Sequence, residues 1–490
     1  MNINRRSLSI CSVILSAVTL AFLIGCSGDK GKMPITASSK EALDLFIQGR
    51  DLSERLRIND ARALLDSATS LDPGFAMAYL YKALIASSPK DFFENLDKAR
   101  TLADNVSEGE RLIILGVEAG THARPLEGRE LYKKLVELYP RDERAHFFLA
   151  SNYFEQQENT LVVEESKICS DINPNFSPSY NLAGYAYRYL GDYKSAEEAF
   201  KKYIKLIPDD PNPYDSYADL LMKMGKYGES IESYYKALQI DETFAASHIG
   251  IASNLNYLNK HQDARDQLQE LYDMAANDGQ RQDALLAIAV SYMDEGLPEK
   301  ALETIDKRYV FAERNGDYAA MAGDLAQKGY IYIEMGKYKE AQAEFDSSLK
   351  IVENSDLSEE IKDNARRTAF YSRTRVALSK NDLEAARENM IEFRKQADEI
   401  NNPAQIRLAH QLAGLIALEE ENYDMAIAEF RQTSQQNPMN LYFMALAYLG
   451  KNDRDKAKEW LVKTVEYNST SNMGYAFVRL KAKKLLADIK

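Results

Sequence analysis

Large apolar, small and turn-forming residues recur in one register along this 490-residue chain from about residue 40 onward, with a step of 34 residues. Prolines recur at Pro140, Pro174 and Pro208. Turn residues follow the same step at Gly191, Gly225 and Asn259. A random helical chain would not keep this register, and Gly and Pro are too few for a β-rich or loop-rich design. The pattern predicts helix pairs that must stack, because no pair buries its apolar face alone.

The residues that fill this frame resemble those of the tetratricopeptide repeat family. The best-fitting unit carries Tyr180, Gly184, Tyr187, Ala196, Phe200 and Pro208. An earlier unit carries Leu112, Leu115, Gly116, Tyr132 and Pro140. The resemblance implies an all-α fold, a right-handed superhelical solenoid of about twelve helix pairs. We expect it to end in a capping helix near Asn472–Ile489, whose lysines 481, 483, 484 and 490 suit a solvated surface.

Departures from the 34-residue step divide the array. Units up to residue 281 keep the step, apart from a shortened second unit near 83–102 that carries Ser87-Ser88-Pro89 at its turn. Units after 281 are longer. We therefore predict an N-terminal array at 40–281 and a C-terminal array with its capping helix at 282–490, with a bend between them near 274–282.

The first 39 residues predict export and a lipid anchor. Arg5 and Arg6 precede an apolar stretch at 8–24 that is short for a membrane span, a signal-peptide layout. Its end, Leu23-Ile24-Gly25-Cys26, resembles the lipobox of bacterial lipoproteins. The resemblance implies a signal peptide at 1–25, a lipidated (palmitate-type) Cys26 and a polar tether through Ser39. The alternative is an ordinary signal peptide or uncleaved anchor in which Cys26 is incidental.

The charge balance argues against nucleic acid as a partner. The chain has 61 Lys and Arg against 75 Asp and Glu, a net charge of −14. Loss of Arg5 and Arg6 with the signal peptide would make it −16. Such a surface repels phosphate backbones and anionic lipid head groups. Cys169 is the only cysteine after Cys26, so we predict no disulfide framework.

The histidines and Cys169 fit the repeat without any catalytic role. His146, His248 and His410 all occupy the fourth position of a unit, and Cys169 occupies a small, buried position. Metal-ligand, phosphate-loop and nucleophile motifs are absent from the sequence. We therefore predict no metal, no cofactor and no catalytic residue, and we expect that the protein is not an enzyme.

A binding surface is expected on the concave edge of the first helix of each unit, where aromatic and polar side chains coincide. Aromatic side chains bury much area at low entropic cost, as peptide recognition requires. The candidate groove residues are Phe147, Phe154, Asn181, Tyr185, Arg188, Tyr189, Asp215, Asp219, Met222, Ile249, Asn256 and Tyr257. Chaperone-binding members of the family place a carboxylate clamp at such positions. Tyr185, Asp215 and Asp219 replace it here, which argues against capture of a C-terminal carboxylate.

These features favour a lipid-anchored interaction scaffold of the bacterial cell envelope, at the inner or outer membrane and facing the periplasm or the cell surface. Its partner would be a protein or peptide of unknown identity, bound along the groove. The alternative is an envelope lipoprotein that captures glycans or peptides beside an outer-membrane transporter, although such proteins use long insertions for which this chain leaves little room. A hydrolase is the least supported class.

Overall fold

The computed structural model describes residues 31–489, which form 25 α-helices joined by connections of two to seven residues. The first twelve helices are α1 (Lys40–Ser53), α2 (Ile58–Leu71), α3 (Ala76–Leu84), α4 (Pro89–Leu102), α5 (Glu108–Thr121), α6 (Pro125–Leu138), α7 (Glu143–Glu155), α8 (Asn159–Ile172), α9 (Ser177–Leu190), α10 (Tyr193–Leu206), α11 (Asn212–Lys223) and α12 (Tyr227–Ile240). The next thirteen are α13 (Ala245–Tyr257), α14 (His261–Met274), α15 (Asp278–Glu295), α16 (Pro298–Arg314), α17 (Tyr318–Glu334), α18 (Tyr338–Glu353), α19 (Glu359–Ser379), α20 (Leu383–Glu399), α21 (Pro403–Glu419), α22 (Tyr423–Arg431), α23 (Pro438–Gly450), α24 (Arg454–Val465) and α25 (Met473–Asp488). A 3-10 turn, Ala103–Asn105, follows α4.

The helices pack in sequence as a superhelical solenoid. Each odd-numbered helix packs against the even-numbered helix that follows it, and each such pair packs against the next. Twelve pairs precede α25, so the predicted all-α solenoid of about twelve units is confirmed within residues 31–489. The core consists of several hydrophobic clusters between neighbouring helices along the solenoid rather than one central cluster.

Close helix crossings depend on a small residue opposite an aromatic ring, as the sequence predicts. A Cβ atom built at Gly184 would lie 2.5 Å from the Phe200 ring, and one at Gly250 would lie 2.2 Å from the Tyr234 ring. Contacts below 3.0 Å force the neighbour to move, so only glycine fits these crossings. Where helix α9 ends, Gly191 has φ +79°, a left-handed conformation that glycine adopts at little cost.

Helix lengths follow the departures in the sequence. Helix α3 has only nine residues, and α4 begins with Ser88 as N-cap and Pro89 in its first turn. Helices α15 to α21 have 16 to 21 residues, whereas every helix from α1 to α14 has 14 or fewer. The division of the solenoid at 281/282 stays a prediction.

The solenoid winds far enough for loops of one turn to touch loops of the next. The backbone N–H of Lys90 donates to Asp317 at 3.1 Å. Asn402 donates to the carbonyl of Ala123 at 2.7 Å, 279 residues away in sequence. These contacts join units about seven apart, so the distant halves of the chain support each other.

The N-terminal strap, residues 31–39 of the predicted polar tether, lies on the body of the protein. The N–H and hydroxyl of Thr36 donate to the Glu110 carboxylate at 2.9 and 2.6 Å. The N–H of Met33 donates to Asp142 at 2.8 Å. These carboxylates belong to the starts of α5 and α7, so the strap crosses the first turns of those helices. The signal peptide at 1–25 and Cys26 lie outside the described residues.

Candidate functional site

The twelve candidate groove residues lie on helices α7, α9, α11 and α13, the first helices of four successive units. Contacts between them cross from unit to unit. Phe154 and Tyr189 lie with ring centroids 5.9 Å apart, and Tyr185 donates to Asp219 at 3.0 Å. Phe147 packs edge-on against Phe176 at 5.5 Å. The structure thus brings the residues from Phe147 to Asp219 onto one face.

A network around Asp219 holds α9, α11 and α12 together. The carboxylate accepts hydrogen bonds from the hydroxyls of Tyr185 and Tyr234, and the Arg188 guanidinium lies 3.9 Å away. Burial and the negative charge of Asp219 raise the pKa of both tyrosines well above the ordinary value. Both phenols therefore remain protonated donors. Tyr185 contributes to the wall of the groove rather than to a free surface.

Asp215 is buried and hydrogen-bonded within the fold rather than exposed in the groove. It is 7% exposed, and its carboxyl accepts a hydrogen bond from Ser247 at 2.7 Å. Burial, together with the nearby charge of Asp219, raises the pKa of Asp215 well above its ordinary value. This shift favours the protonated carboxyl over the carboxylate. Met222 is fully buried and likewise offers no surface to a partner.

The C-terminal segment covers the part of the groove that α13 provides. The hydroxyl of Tyr257 donates to the carbonyl of Ser469, and its ring packs 5.7 Å from that of Tyr475. The N–H of Ser471 donates to Ser253 at 3.1 Å. Asn256 and Tyr257, predicted to meet a partner, therefore meet the protein's own C-terminus. Ile249 is half-buried among the residues of α13 to α15.

Helix α25 lies where the capping helix is predicted and buries one side against the inner helices of the solenoid, whereas Lys481 and Lys484 on its other side are exposed. Its Arg479 is 1% exposed, pairs with both carboxylate oxygens of Asp294 on α15 and donates to the carbonyl of Asn256 at 3.3 Å. Apolar residues of α25 join one core cluster with α15, α17 and α23. Lys481 pairs with Glu334 on α17. The final helix therefore fills the concave face from α13 to α17.

An accessible part of the groove remains on α7, α9 and α11, and we call it the open groove segment. It consists of Phe154, Asn181, Arg188, Tyr189, Lys223 and Tyr467. Tyr189 is 37% exposed, and Phe154, Asn181 and Lys223 are half-buried. Tyr467, which is 9% exposed, closes one side from the connection between α24 and α25.

Lys223 and Tyr467 are site residues that the sequence did not predict. The ammonium of Lys223 donates to the carbonyl of Tyr467 and lies 4.4 Å from the centre of its ring. Burial and the positive charge of Arg188 lower the pKa of Lys223 to about 8. The position of Lys223, one residue after the predicted Met222, was the only available signal. Nothing local in the sequence indicated Tyr467.

The histidines and the buried cysteine serve the structure. His146 and His410 each bond through Nδ1 to a glutamate 19 residues later, at 2.7 Å in both units. Cys169 is fully buried, where its thiol donates to the carbonyl of Glu143 and burial raises its pKa. Within 31–489 no group of three or more His, Cys, Asp or Glu residues is placed to hold a metal ion. None of the helices in that range is both long and apolar enough to cross a membrane.

Comparison with known protein families identifies the repeat in three parts of the chain. The profile of the tetratricopeptide repeat matches residues 177–210, 212–244 and 325–354, which correspond to α9–α10, α11–α12 and most of α17–α18. The chain therefore contains tetratricopeptide repeats. The resemblance seen in the sequence is confirmed for these units, two of which carry most of the open groove segment.

Two proteins described as TPR proteins are similar to parts of this chain. A TPR repeat-containing protein of Methanocaldococcus jannaschii is 25% identical over 232 residues, which are 37% of this chain and 39% of that protein. The match thus spans about two fifths of the relative's length. The crystal structure of YrrB, described as a TPR protein with an unusual peptide-binding site, is 18% identical and covers 37% of this chain and 91% of its own, with a TM-score of 0.26. A score this low says nothing about the arrangement of the whole chain.

Proposed function

We propose that this protein is a lipid-anchored scaffold of the bacterial cell envelope that binds a peptide segment of a protein partner in the open groove segment. One observation carries the proposal. The C-terminal segment covers the concave face from α13 onward, whereas side chains on α7, α9 and α11 remain accessible. Tetratricopeptide repeats generally mediate interactions between proteins.

The side chains of the open groove segment suit an extended peptide. Phe154 and Tyr189 offer two adjoining rings that can bury an apolar side chain at low entropic cost. The carbonyl oxygen of the Asn181 side chain is buried and accepts no hydrogen bond from residues 31–489.

The lipid anchor is proposed from the lipobox-like sequence at Cys26, and the strap explains how an anchor would orient the protein. Gly31 is the fifth residue after Cys26, and an extended chain of five steps spans at most about 18 Å. The strap fixes Met33 and Thr36 against α7 and α5. A lipid on Cys26 would thus hold the first units close to the membrane surface rather than at the end of a long tether.

Partner binding is tested by crosslinking in intact bacterial cells, followed by identification of the trapped protein. The Phe154→Ala/Tyr189→Ala variant should lose this crosslink, because the pair provides the accessible rings of the groove. Tyr235→Ala is the matched control, since Tyr235 is 47% exposed on α12 and outside the open groove segment. A crosslink that survives the double substitution, or is lost equally in the control, would contradict the proposed site.

The anchor is tested separately by growing cells with a labelled fatty acid. The wild-type protein should incorporate the label and sediment with membranes, and Cys26→Ser should do neither. Incorporation by the Cys26→Ser variant, or none by the wild type, would remove the anchor from the proposal. Sugar-dependent protection of the groove without any protein crosslink would instead favour the glycan-capturing alternative, although no connection between described helices exceeds seven residues.

A further inference from the structure

The connection between α24 and α25, residues 466–472, is the longest between the described helices and lies against the concave face. It has no regular secondary structure, and each residue from Tyr467 to Asn472 is buried or half-buried. Connections normally run over the outer surface, where water satisfies their backbone groups. Here side chains of α11, α12 and α13 satisfy polar groups of the connection instead.

The groove holds this connection mainly by its main chain. The ammonium of Lys223 on α11 donates to the carbonyl of Tyr467, and the hydroxyl of Tyr257 on α13 donates to the carbonyl of Ser469. Main-chain groups are the same in every peptide, so contacts of this kind give affinity without demanding one sequence. Another extended peptide can therefore make them.

Two further contacts complete the seating of the connection. The N–H of Ser471 donates to the hydroxyl of Ser253 on α13 at 3.1 Å. Together with the two carbonyls, this N–H places the main-chain contacts on every second residue, the spacing at which an extended chain presents one face. The side chain of Asn468, which is 4% exposed, accepts a hydrogen bond from the hydroxyl of Tyr227 at 3.0 Å. The connection thus occupies the groove as a bound peptide would.

The backbone of the connection is strained, and its neighbours are held without it. Asn468 has φ +43° and Ser471 has φ +32°, in the left-handed region that costs free energy for residues other than glycine. Helix α24 packs on α23, and α25 is fixed by the pair of Arg479 and Asp294. Loss of the groove contacts therefore releases the connection while both flanking helices stay in place.

This connection continues the open groove segment. Lys223 and Tyr467 belong to both, and Tyr227 and Tyr257, whose rings lie 5.9 Å apart, bond to the connection from α12 and α13. A peptide that enters along α7, α9 and α11 meets residues 467–471 at the end of the accessible stretch. The side chains that could bind its main chain beyond that point are already occupied.

We propose that residues 467–471 are an internal ligand of the groove, which a protein partner displaces with an extended segment of the same kind. This inference rests on the proposed peptide-binding function and specifies its partner and its regulation. The internal ligand reads Tyr-Asn-Ser-Thr-Ser and carries no charge. The displacing segment is therefore uncharged, with an aromatic residue before small polar residues. A tethered competitor acts at an effective concentration in roughly the millimolar range, so the closed groove excludes weak ligands.

Two substitutions of Ser471 change the internal ligand and leave the side chains of the groove intact. Ser471→Pro removes the N–H that Ser253 accepts and cannot adopt a φ of +32°. Ser471→Gly keeps the N–H and adopts a positive φ at little cost. Chymotrypsin cleavage after the buried Tyr467 measures the release. We expect cleavage about tenfold to a hundredfold faster in Ser471→Pro than in Ser471→Gly.

The binding probe is a labelled peptide of residues 464–474, followed by fluorescence anisotropy. Ser471→Pro should bind it about tenfold more tightly than Ser471→Gly, because the released internal ligand no longer competes. A control peptide with alanine in place of Tyr467 and Asn468 should bind roughly tenfold more weakly. In intact cells, the crosslink to the protein partner should increase in Ser471→Pro relative to Ser471→Gly.

A second variant keeps the test decisive if the proline unfolds more than the connection, which cleavage throughout the chain would reveal. Asn468→Ala removes the acceptor of Tyr227 and leaves a non-glycine residue at positive φ, so it should give the same changes at a smaller size. Equal cleavage after Tyr467 in all variants would overturn the inference. So would faster cleavage without peptide binding, and neither result touches the proposed function, which is tested through Phe154 and Tyr189.

Failure of the proposed function gives a different pattern. The peptide of residues 464–474 would then bind Ser471→Pro, but no protein would be crosslinked in cells by either variant. That result would overturn displacement by a partner and leave residues 467–471 as an intramolecular contact only.

Discussion

Removing the charge of Arg479 should release the C-terminal helix from the concave face. Arg479 is 1% exposed, and its main partner Asp294 is 3% exposed, so water cannot replace either member of the pair. Arg479→Met keeps much of the side-chain volume but leaves the Asp294 carboxylate buried without its cation. Breaking a buried ion pair in this way costs about 3–5 kcal/mol.

The loss should appear as local opening of α25 rather than unfolding of the whole chain. Repeat units depend mainly on their neighbours, and local unfolding has its own free energy. A cost of about 3–5 kcal/mol increases the opening equilibrium roughly a hundredfold to a few thousandfold. Hydrogen exchange of the backbone amides in α25 measures this change directly, with α1 and α2 as internal reference.

The double variant Arg479→Met/Asp294→Leu provides the control. It removes both charges, so most of the lost stability should return, since apolar replacement of a buried pair is often neutral. The measurement belongs at pH 8. His261 lies 3.7 Å from Asp294, but burial lowers its pKa, so it is neutral there and cannot replace Arg479. Wild-type exchange rates in Arg479→Met would refute the role of the ion pair, and equal losses in both variants would show that packing, not charge, holds α25.

Three further predictions concern other parts of the molecule. The pKa of Lys223 is lowered to about 8 from an ordinary value of about 10.4, so with rising pH the folded state loses this proton before the unfolded state does. The free energy of unfolding of the wild type should therefore rise between about pH 8 and 10 relative to that of Lys223→Met. Urea unfolding of both proteins at several pH values measures this difference. A flat difference between the two would contradict that. Gly250→Ala forces a Cβ atom against the Tyr234 ring and should lower the free energy of unfolding by about 1–3 kcal/mol. Gly323→Ala places its Cβ atom in open space and should raise the free energy of unfolding by roughly 0.5–1 kcal/mol. Equal melting temperatures for the two variants would contradict this prediction. Glu110→Ala removes the acceptor of the strap and should cost about 1.5–3 kcal/mol while exposing residues 31–39 to protease; an uncut strap would count against it.

The units of the fold could be predicted from sequence because their determinants are local. Gly184 and Phe200 are 16 residues apart and meet within one helix pair, so the pattern that identifies them also specifies their contact. The same holds for the shortened α3 and the longer helices after α14. Stacking of identical modules then extends the local rule along the chain.

The path of the final helix could not be predicted in this way, although its composition carried a signal. Arg479 and Asp294 are 185 residues apart, and no periodic pattern relates them. However, Tyr475, Ala476, Phe477 and Val478 are four consecutive apolar residues, which cover more than one face of a helix. A helix that is apolar on several faces is buried on several sides, unlike a solvated cap.

The candidate site shows what assignment by repeat position can predict and what it cannot. Repeat position predicts which residues face the concave side, and Arg188 and Tyr189 do lie in the open groove segment. It cannot predict what else occupies that side, so Tyr257 was assigned to a partner although Ser469 and Tyr475 already cover it. The connection that follows α24 both covers α13 and supplies Tyr467 to the open groove segment. Residues 466–489 therefore determine how much of the groove remains available.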